Sequence, residues 1–275
     1  MGKIDIGGVG IAYDFFGSGN VPVVFLNGIA MTISHWKPVA AAMGENYRCL
    51  CHDMRGQTLS DKPPGPYSLS LHARDLRALM DEVRFESAHI VGTSYGAEVA
   101  LAFALEFPGK TKSLTLIDGV SELDPLLRAV GESWLSSADC DPRAFYKTIL
   151  PWNYSTEFIA ENSAKLKARE DGFAATPREW FEGFKELCKA FLAIDMTGNI
   201  GRITSRTLVL VAEKDILKPR KYSEIIAGRI RGARLGVVPG AGHAVVIEKP
   251  EAVARETRAF LESLDQTSIF ESSGI

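Results

Sequence analysis

A serine lies between two glycines in residues 92–96, whose sequence is GTSYG. An apolar run at 88–91 precedes this pattern, and small residues at 97–102 follow it. A strand, a sharp turn and a helix in this order lift a serine hydroxyl off a sheet, and the flanking glycines avoid a collision with the neighbouring chain. The helix N-terminus adds positive potential at the same place. The pattern therefore predicts that Ser94 is a nucleophile.

A serine hydroxyl attacks a carbonyl only when a base removes its proton, and histidine is the usual base. Of the five histidines, His243 lies on a glycine-containing loop, 239–243, directly after the last predicted strand. Open α/β sheets place their sites at the carboxyl ends of the strands. His89 opens a strand instead, and so belongs to the opposite edge of the sheet. We therefore predict that His243 is the base.

Two aspartates compete to orient that histidine. Asp215 follows the apolar run at 207–211, and Asp118 directly follows the run at 113–117. Both lie after a strand, as a carboxylate that holds the imidazole in one orientation must. We favour Asp215 and keep Asp118 as the alternative. Either could also be a solvated turn residue.

The elements that position these residues alternate between strands and helices. This order favours an α/β fold with a mostly parallel, eight-stranded sheet flanked by helices. The first two strands, near a Gly-Gly pair, are predicted to form an antiparallel hairpin. Strands are predicted at 3–6, 11–16, 23–26, 48–51, 88–91, 113–117, 207–211 and 234–238. Helices are predicted at 34–43, 70–83, 97–107, 220–230 and 250–264.

The alternation stops between about residues 120 and 203, where the pattern is helical and broken by prolines. We predict a core of residues 1–119 and 204–265, a helical cap at 120–203 and a flexible tail at 266–275. The cap contains Trp134, Trp152 and Trp180, and we expect at least one of them to bind substrate; the alternative is that they only join the cap to the core. Nine basic residues between Arg128 and Lys189 could bind a substrate carboxylate, with no basis for choosing one.

Composition excludes several classes of protein. The 275 residues are 46% hydrophobic and 24% charged, with a net charge of −3, so a surface for nucleic acid is not expected. No apolar run is long enough to span a membrane, and the N-terminus does not resemble a secretory leader. We therefore expect a cytoplasmic protein. Its cysteines should be unpaired; they are Cys49, Cys51, Cys140 and Cys188.

Three further stretches carry a resemblance to a known family. Residues 53–61, DMRGQTLSD, resemble the D-x-R-G-x-G-x-S-D stretch of the α/β-hydrolase superfamily, with Thr58 in place of the usual glycine. Residues 242–243 and 247–250 resemble its C-terminal signature. The resemblance covers about residues 10–265. Within the superfamily, residues 63–68 and the chain length most resemble 3-oxoadipate enol-lactonases and related capped carboxylesterases.

The resemblance implies further site residues. The backbone N–H groups of Ile29 and Tyr95 would form the oxyanion hole. Asn27 stands where family members usually carry a histidine. We interpret it as a scaffold residue, with a direct substrate contact as the alternative.

The implied activity is hydrolysis of a small to medium carboxylic ester through an acyl-enzyme, with no metal or organic cofactor. Because a fold does not determine a function, three alternatives stay open: a lactonase, a cofactor-free perhydrolase and a ligand-sensing regulatory protein. The expected partner is a small ester or lactone, and the oligomeric state is undetermined.

Overall fold

The computed structural model describes residues 1–272, and the side chains up to Leu264. Eight strands form one sheet in the order β1-β2-β4-β3-β5-β6-β7-β8. They are β1 (Gly2–Ile6), β2 (Val9–Phe16), β3 (Val21–Leu26), β4 (Tyr47–His52), β5 (Ala88–Thr93), β6 (Thr111–Ile117), β7 (Arg206–Ala212) and β8 (Arg234–Val238). All eight predicted strands are confirmed, with ends that differ by two residues or fewer.

The direction of the strands also agrees with the prediction. β1 and β2 form the antiparallel hairpin, β2 pairs antiparallel with β4, and the remaining pairs are parallel. Strand order changes direction at β3, whose two neighbours are β4 and β5. The carboxyl ends of β3 and β5 therefore border the crevice where open α/β sheets bind ligands.

Helices cover the sheet and form the segment between β6 and β7. In the part of the chain that the structure describes they are α1 (Lys37–Met43), α2 (Leu69–Glu82), α3 (Tyr95–Glu106), α4 (Pro125–Ser137), α5 (Pro142–Asn153), α6 (Thr156–Glu161), α7 (Ser163–Phe173), α8 (Arg178–Leu192), α9 (Arg220–Arg229), α10 (Val245–Glu248) and α11 (Pro250–Ser272). Short 3₁₀ segments lie at Ile33–Trp36, Pro108–Lys110 and Ile200–Arg202. Among the described residues, no helix combines the length and the apolarity that crossing a bilayer needs.

The two faces of the sheet bury separate hydrophobic clusters. Successive side chains of β3 point to opposite faces, so Val24 and Leu26 join the cluster under α2, α3 and α9. Val23 and Phe25 join the cluster under α1 and α11. All four are fully buried. Because both faces of β3 are covered, its sequence is a continuous apolar run rather than an alternating one.

The segment between β6 and β7 has α4 to α8 and no strand, as predicted. Prolines start several of its helices: Pro125 begins α4 and Pro142 begins α5, where a missing N–H costs little. The two ends of the segment are joined, because Met196 N–H donates to the Ser121 carbonyl at 2.8 Å. The segment therefore leaves and rejoins the sheet through one narrow connection.

The C-terminal helix is longer than predicted. α11 continues to Ser272, whereas the sequence pattern indicates an end near Leu264. The expected flexible tail covers 266–275, and its last three residues lie outside the described part of the chain. The predicted end rests on apolar periodicity, and the residues after Leu264 lack it. Backbone hydrogen bonding continues the helix there without that signal.

Candidate active site

Ser94 lies on the sharp turn between β5 and α3. Its φ of 52° and ψ of −121° are in a region that non-glycine residues rarely adopt. Its own N–H donates to the Ile117 carbonyl at 2.8 Å, which anchors the turn to β6. A Cβ at Gly92 would lie 2.2 Å from the Gly96 carbonyl oxygen, and one at Gly96 would lie 2.2 Å from that of Leu26. The turn therefore requires both glycines, as predicted.

His243 and Asp215 meet Ser94 in one hydrogen-bonded chain. The Nε2 atom of His243 lies 2.8 Å from Ser94 Oγ, and its Nδ1 atom lies 2.7 Å from Asp215 Oδ2. The other oxygen of Asp215 accepts the backbone N–H groups of Leu217 and Lys218, each at 2.8 Å. Both His243 and Asp215 are buried. This geometry allows an imidazole to take a proton from a serine while a fixed carboxylate orients it.

Asp118 lies close to this chain but has a different partner. Its Oδ1 atom accepts the N–H of Ala212 at 2.8 Å, and its Oδ2 atom has no hydrogen-bond partner among the described residues. Complete burial raises the pKa of Asp118 well above its ordinary value, and the neighbouring Asp215 carboxylate raises it further. The geometry therefore favours Asp215 over Asp118 as the partner of His243.

Ile29 and Tyr95, whose N–H groups are predicted to form the oxyanion hole, lie near the carboxyl ends of β3 and β5. Ile29 lies on the turn after β3, and Tyr95 opens α3. Neither N–H has a backbone acceptor in the described part of the chain. Both residues line the same small recess as Ser94. Donors left open beside a nucleophile can hold the charge of a tetrahedral intermediate.

Asn27 is a bracing residue. Its Nδ2 atom donates to Asp53 and to Gln57, each at 3.0 Å, and its Oδ1 atom accepts the indole N–H of Trp36 at 2.9 Å. The side chain is fully buried, and both its amide N–H groups and its oxygen have partners within the protein. These contacts favour the interpretation as a scaffold residue over the alternative of a substrate contact. Asp53 also accepts the Ile33 N–H at 2.8 Å, so residues 53–61 brace the loop beside the site.

A buried ion pair lies close to the turn that carries Ser94. Lys218 Nζ lies 2.9 Å from Glu98 Oε1, and the two side chains are 2% and 0% exposed. Glu98 also accepts the N–H of Val120 at 2.8 Å. Burial raises the pKa of Glu98, and the Lys218 ammonium acts against that rise. This pair joins α3, which begins next to Ser94, to the loop that carries Asp215.

A cavity of about 410 Å³ opens over Ser94 and His243. The helical segment supplies much of its wall, and its apolar part includes Trp134, Ile149, Phe173 and Phe184. Such a mixture of apolar walls and a few polar groups is typical of small-molecule sites. Trp134 thus meets the expectation that at least one cap tryptophan faces the pocket.

Trp152 and Trp180 do not line this cavity, and their assignment as substrate-binding residues stays a prediction. Trp180 is buried and stacks on Phe184 with ring centroids 5.5 Å apart. Its indole N–H donates to Thr58 Oγ1 at 3.3 Å, which joins the helical segment to the loop after β4. Trp152 is half-buried against the core. A tryptophan contributes to the same hydrophobic pattern whether it faces a cavity or a neighbouring helix. The sequence pattern therefore could not show which of the three tryptophans lines the cavity.

Glu248 holds the helical segment onto the loop of His243. It accepts the N–H and the hydroxyl of Ser155, at 2.9 and 2.6 Å, and the N–H of Gly242 at 3.2 Å. A Cβ at Gly242 would lie 2.5 Å from the Ser155 nitrogen. The close approach explains why glycine precedes His243.

Sequence reasoning also missed several residues that line the cavity. The most prominent is Arg169, one of the nine basic residues among which no choice was possible. Met31, His35 and Tyr146 line the cavity as well. Helical periodicity would group Arg169 with Gly172 and Phe173 on one face, but it does not reveal that this face meets the site.

The sequence matches the profile of a known protein family. A profile described as the alpha/beta hydrolase fold matches residues 21–250, which include Ser94, Asp215 and His243. The chain belongs to the α/β-hydrolase family. This membership confirms the fold predicted from the sequence and supports a hydrolytic enzyme.

Similar proteins are known by name and by structure. RutD of Caulobacter segnis, provisionally named a carbamate hydrolase, is 29% identical over 92% of this chain and 97% of its own length. The α/β-hydrolase MGS-M2, from a deep-sea metagenome library of the Medee basin, has a TM-score of 0.90 at 25% identity, over 95% of this chain and 97% of its own. The enol-lactonase of Burkholderia xenovorans LB400 has a TM-score of 0.87 at 24% identity, over 95% and 100%. At that identity the enol-lactonase shows likeness of fold.

Proposed function

We propose that this α/β-hydrolase cleaves a carboxylic ester of small to medium size through a covalent acyl-enzyme. The observation that carries the proposal is the hydrogen-bonded chain from Ser94 through His243 to Asp215, which opens into the 410 Å³ cavity. Ser94 is the nucleophile, His243 the general base and Asp215 the residue that orients His243.

In the first half of the reaction, Ser94 Oγ bonds to the carbonyl carbon while His243 Nε2 takes the hydroxyl proton. The N–H groups of Ile29 and Tyr95 hold the oxyanion that develops. The bond to the leaving oxygen then breaks, and His243 returns its proton to that oxygen. In the second half, His243 takes a proton from water, the hydroxide attacks the acyl carbon, and the acid leaves as Ser94 recovers its proton.

A carbamate is the second candidate substrate. The name of the RutD relative favours it, and the similarity covers 92% of this chain. The same hydrogen-bonded chain can attack a carbamate carbonyl, which differs from that of an ester in the nitrogen bonded to the carbonyl carbon. A lactone differs only in that the leaving oxygen stays attached to the acyl group.

The decisive variant is Ser94→Ala. We expect kcat for p-nitrophenyl acetate and butyrate to fall about 10⁴- to 10⁶-fold, because removal of a triad member has this effect in serine hydrolases. Ser136→Ala is the matched control, since Ser136 is exposed on α4 and does not line the cavity. A fluorophosphonate should add one adduct to the parent and none to Ser94→Ala, as measured by intact mass.

Retention of a tenth of the parent activity by Ser94→Ala would contradict the proposal. The same panel should include a lactone and a carbamate, because the ranking of kcat/KM distinguishes the candidate substrates. Negligible turnover of every ester, lactone and carbamate by the parent would favour the ligand-sensing alternative instead.

A further inference from the structure

Arg169 lies on the face of α7 that forms part of the cavity wall. Gly172, Phe173 and Thr176 line the same cavity, at spacings of three, four and seven residues from Arg169. The first two spacings place Arg169, Gly172 and Phe173 on one side of α7, and Thr176 follows the end of that helix. Arg169 is half-buried there, in a wall that is otherwise mostly apolar.

Arg169 has no carboxylate partner among the residues that the structure describes. Its Nη1 atom donates to the hydroxyl of Tyr154 at 2.8 Å. The two acidic residues next to it in sequence pair elsewhere: Glu170 and Asp171 each lie 3.2 Å from Lys167. A guanidinium has five N–H donors in a fixed fork that matches a carboxylate. Most of these donors of Arg169 are therefore available to a ligand.

Among the described residues that line the cavity, no other side chain carries a permanent charge. The residues that line it include no aspartate, glutamate or lysine. Burial lowers the pKa of His35 to about 4, and the Arg169 charge lowers it further, so His35 is neutral at pH 7. Arg169 is therefore the charged side chain that a ligand in the cavity would meet.

Further hydrogen-bond donors belong to the same wall. The indole N–H of Trp134 and the hydroxyl of Tyr146 have no partner among the described residues, but both atoms are buried beneath the cavity surface. Burial raises the pKa of Tyr146 to about 12, so its hydroxyl keeps its proton at neutral pH. The Tyr154 hydroxyl accepts from Arg169 and still has its own proton to donate. A wall with donors and no carboxylate is suited to an anion.

We propose that Arg169 is a specificity-determining residue that binds a carboxylate of the substrate, so that the preferred substrate is a monoanionic ester, lactone or carbamate. This inference rests on the proposed function, because it concerns the substrate that Ser94 attacks. A carboxylate fits better than a phosphate monoester, whose charge of about −1.5 to −2 would exceed one guanidinium in an apolar wall.

The test compares matched substrates with and without a carboxylate. One pair carries it on the acyl side: p-nitrophenyl hydrogen adipate against p-nitrophenyl hexanoate. The other pair carries it on the leaving group: 4-acetoxybenzoate against phenyl acetate. We expect the parent to prefer the anion in at least one pair. In Arg169→Gln, kcat/KM for that anion should fall about 10- to 100-fold, the effect of losing a charge-assisted hydrogen-bonded pair. The neutral ester should change less than about threefold.

Three further variants separate substrate binding from a structural role. Lys165→Gln removes an equal charge from an exposed position on α7 outside the cavity, and the preference should stay at the parent value. Arg169→Lys keeps the positive charge but loses the two parallel N–H donors of the guanidinium, so the preference for the anionic ester should lie between those of the parent and Arg169→Gln. If Arg169→Gln does not fold, Arg169→Lys tests the role of Arg169 in its place. Tyr154→Phe removes the hydrogen bond to Arg169. If Arg169 only held Tyr154 in place, Tyr154→Phe would match Arg169→Gln and both members of each pair would fall equally.

Binding provides a readout that does not depend on turnover. In a Ser94→Ala background, calorimetry should find that monomethyl adipate binds more tightly than methyl hexanoate, and that Arg169→Gln abolishes the difference. An unchanged ratio in Arg169→Gln, in both kinetics and binding, overturns the role of Arg169. Full activity of Ser94→Ala toward both pairs overturns the proposed function instead, so the two failures are distinguishable.

Discussion

At the edge of the sheet, Ser94, His243 and Asp215 are polar and joined by hydrogen bonds of 2.8 and 2.7 Å. The helical segment 120–203 meets them with a wall of mostly apolar side chains and the half-buried Arg169. The first region is positioned by backbone geometry, since Asp215 and His243 lie on short loops that follow parallel strands. The second is positioned by side-chain packing between helices.

The two regions also differ in how far their ion pairs are buried. Behind Ser94, the pair Lys218 and Glu98 is almost entirely shielded from water. The ion pairs of the helical segment are mostly solvated; Lys167, for example, is 60% exposed. A buried pair is costly to break, whereas an exposed pair contributes little. The buried pair therefore fixes the geometry at the edge of the sheet, whereas substitutions in the helical wall should have less effect on the chemistry.

Asp215→Asn and Asp118→Asn test whether the sheet edge has one orienting carboxylate. We expect Asp215→Asn to lower kcat about 10⁴-fold, because an amide at this position favours the wrong imidazole tautomer. Asp118→Asn should lower kcat less than about tenfold, since Asp118 accepts the Ala212 N–H, a hydrogen bond that the amide oxygen of asparagine can also accept. Steady-state kinetics with p-nitrophenyl butyrate provides the measurement. The reverse ranking would assign the orienting role to Asp118.

Lys218→Met tests the difference in charge burial. It should lower the free energy of unfolding by about 3–5 kcal/mol at pH 8, because Glu98 is left as an unpaired buried carboxylate. Without Lys218, the pKa of Glu98 in the folded state rises further above its unfolded value, so the protein regains stability as the pH falls and Glu98 takes up a proton. The cost should therefore be smaller at pH 5 than at pH 8.

Lys167→Met is the matched control for this measurement. Lys167 is exposed and pairs with Glu170 and Asp171, so its loss should lower the free energy of unfolding far less than the loss of Lys218. Urea denaturation of both variants at the two pH values gives the comparison. Equal decreases in the free energy of unfolding would mean that the buried pair contributes no more to stability than the surface pairs of the helical segment.

Trp134→Ala tests the helical wall. Because Trp134 lines the cavity, its truncation should change the kcat/KM ratio between p-nitrophenyl acetate and hexanoate about tenfold, which corresponds to ~1.4 kcal/mol of lost transition-state contact. Labelling of Ser94 by a small fluorophosphonate should stay near the parent rate. Trp152→Ala is the control from the same segment outside the cavity, and it should keep the parent ratio. If Trp134→Ala also keeps the parent ratio, chain-length specificity lies elsewhere.

Local patterns were sufficient to predict the sheet and the turn of Ser94. Runs of four to six apolar residues identify strands that are buried on both faces, and the spacing of Gly92 and Gly96 around Ser94 reflects backbone contacts close to the turn itself. Strand ends then indicate where His243 and Asp215 emerge, because parallel strands share one carboxyl edge. These features depend on neighbours in sequence or on one rule of topology.

The tertiary structure alone decided which side chains form the cavity wall and which brace it. Trp134 and Trp180 both lie on helices of the segment, yet only Trp134 lines the cavity, since the placement of α4 and α8 depends on packing between distant elements. Arg169 could not be distinguished from eight other basic residues until the partners of Lys167 and the position of Tyr154 were known. Asn27 became a bracing residue through contacts 26 and 30 positions away. Long-range contacts of this kind leave no periodic signal in the sequence, because any residue of similar size and polarity preserves the local pattern.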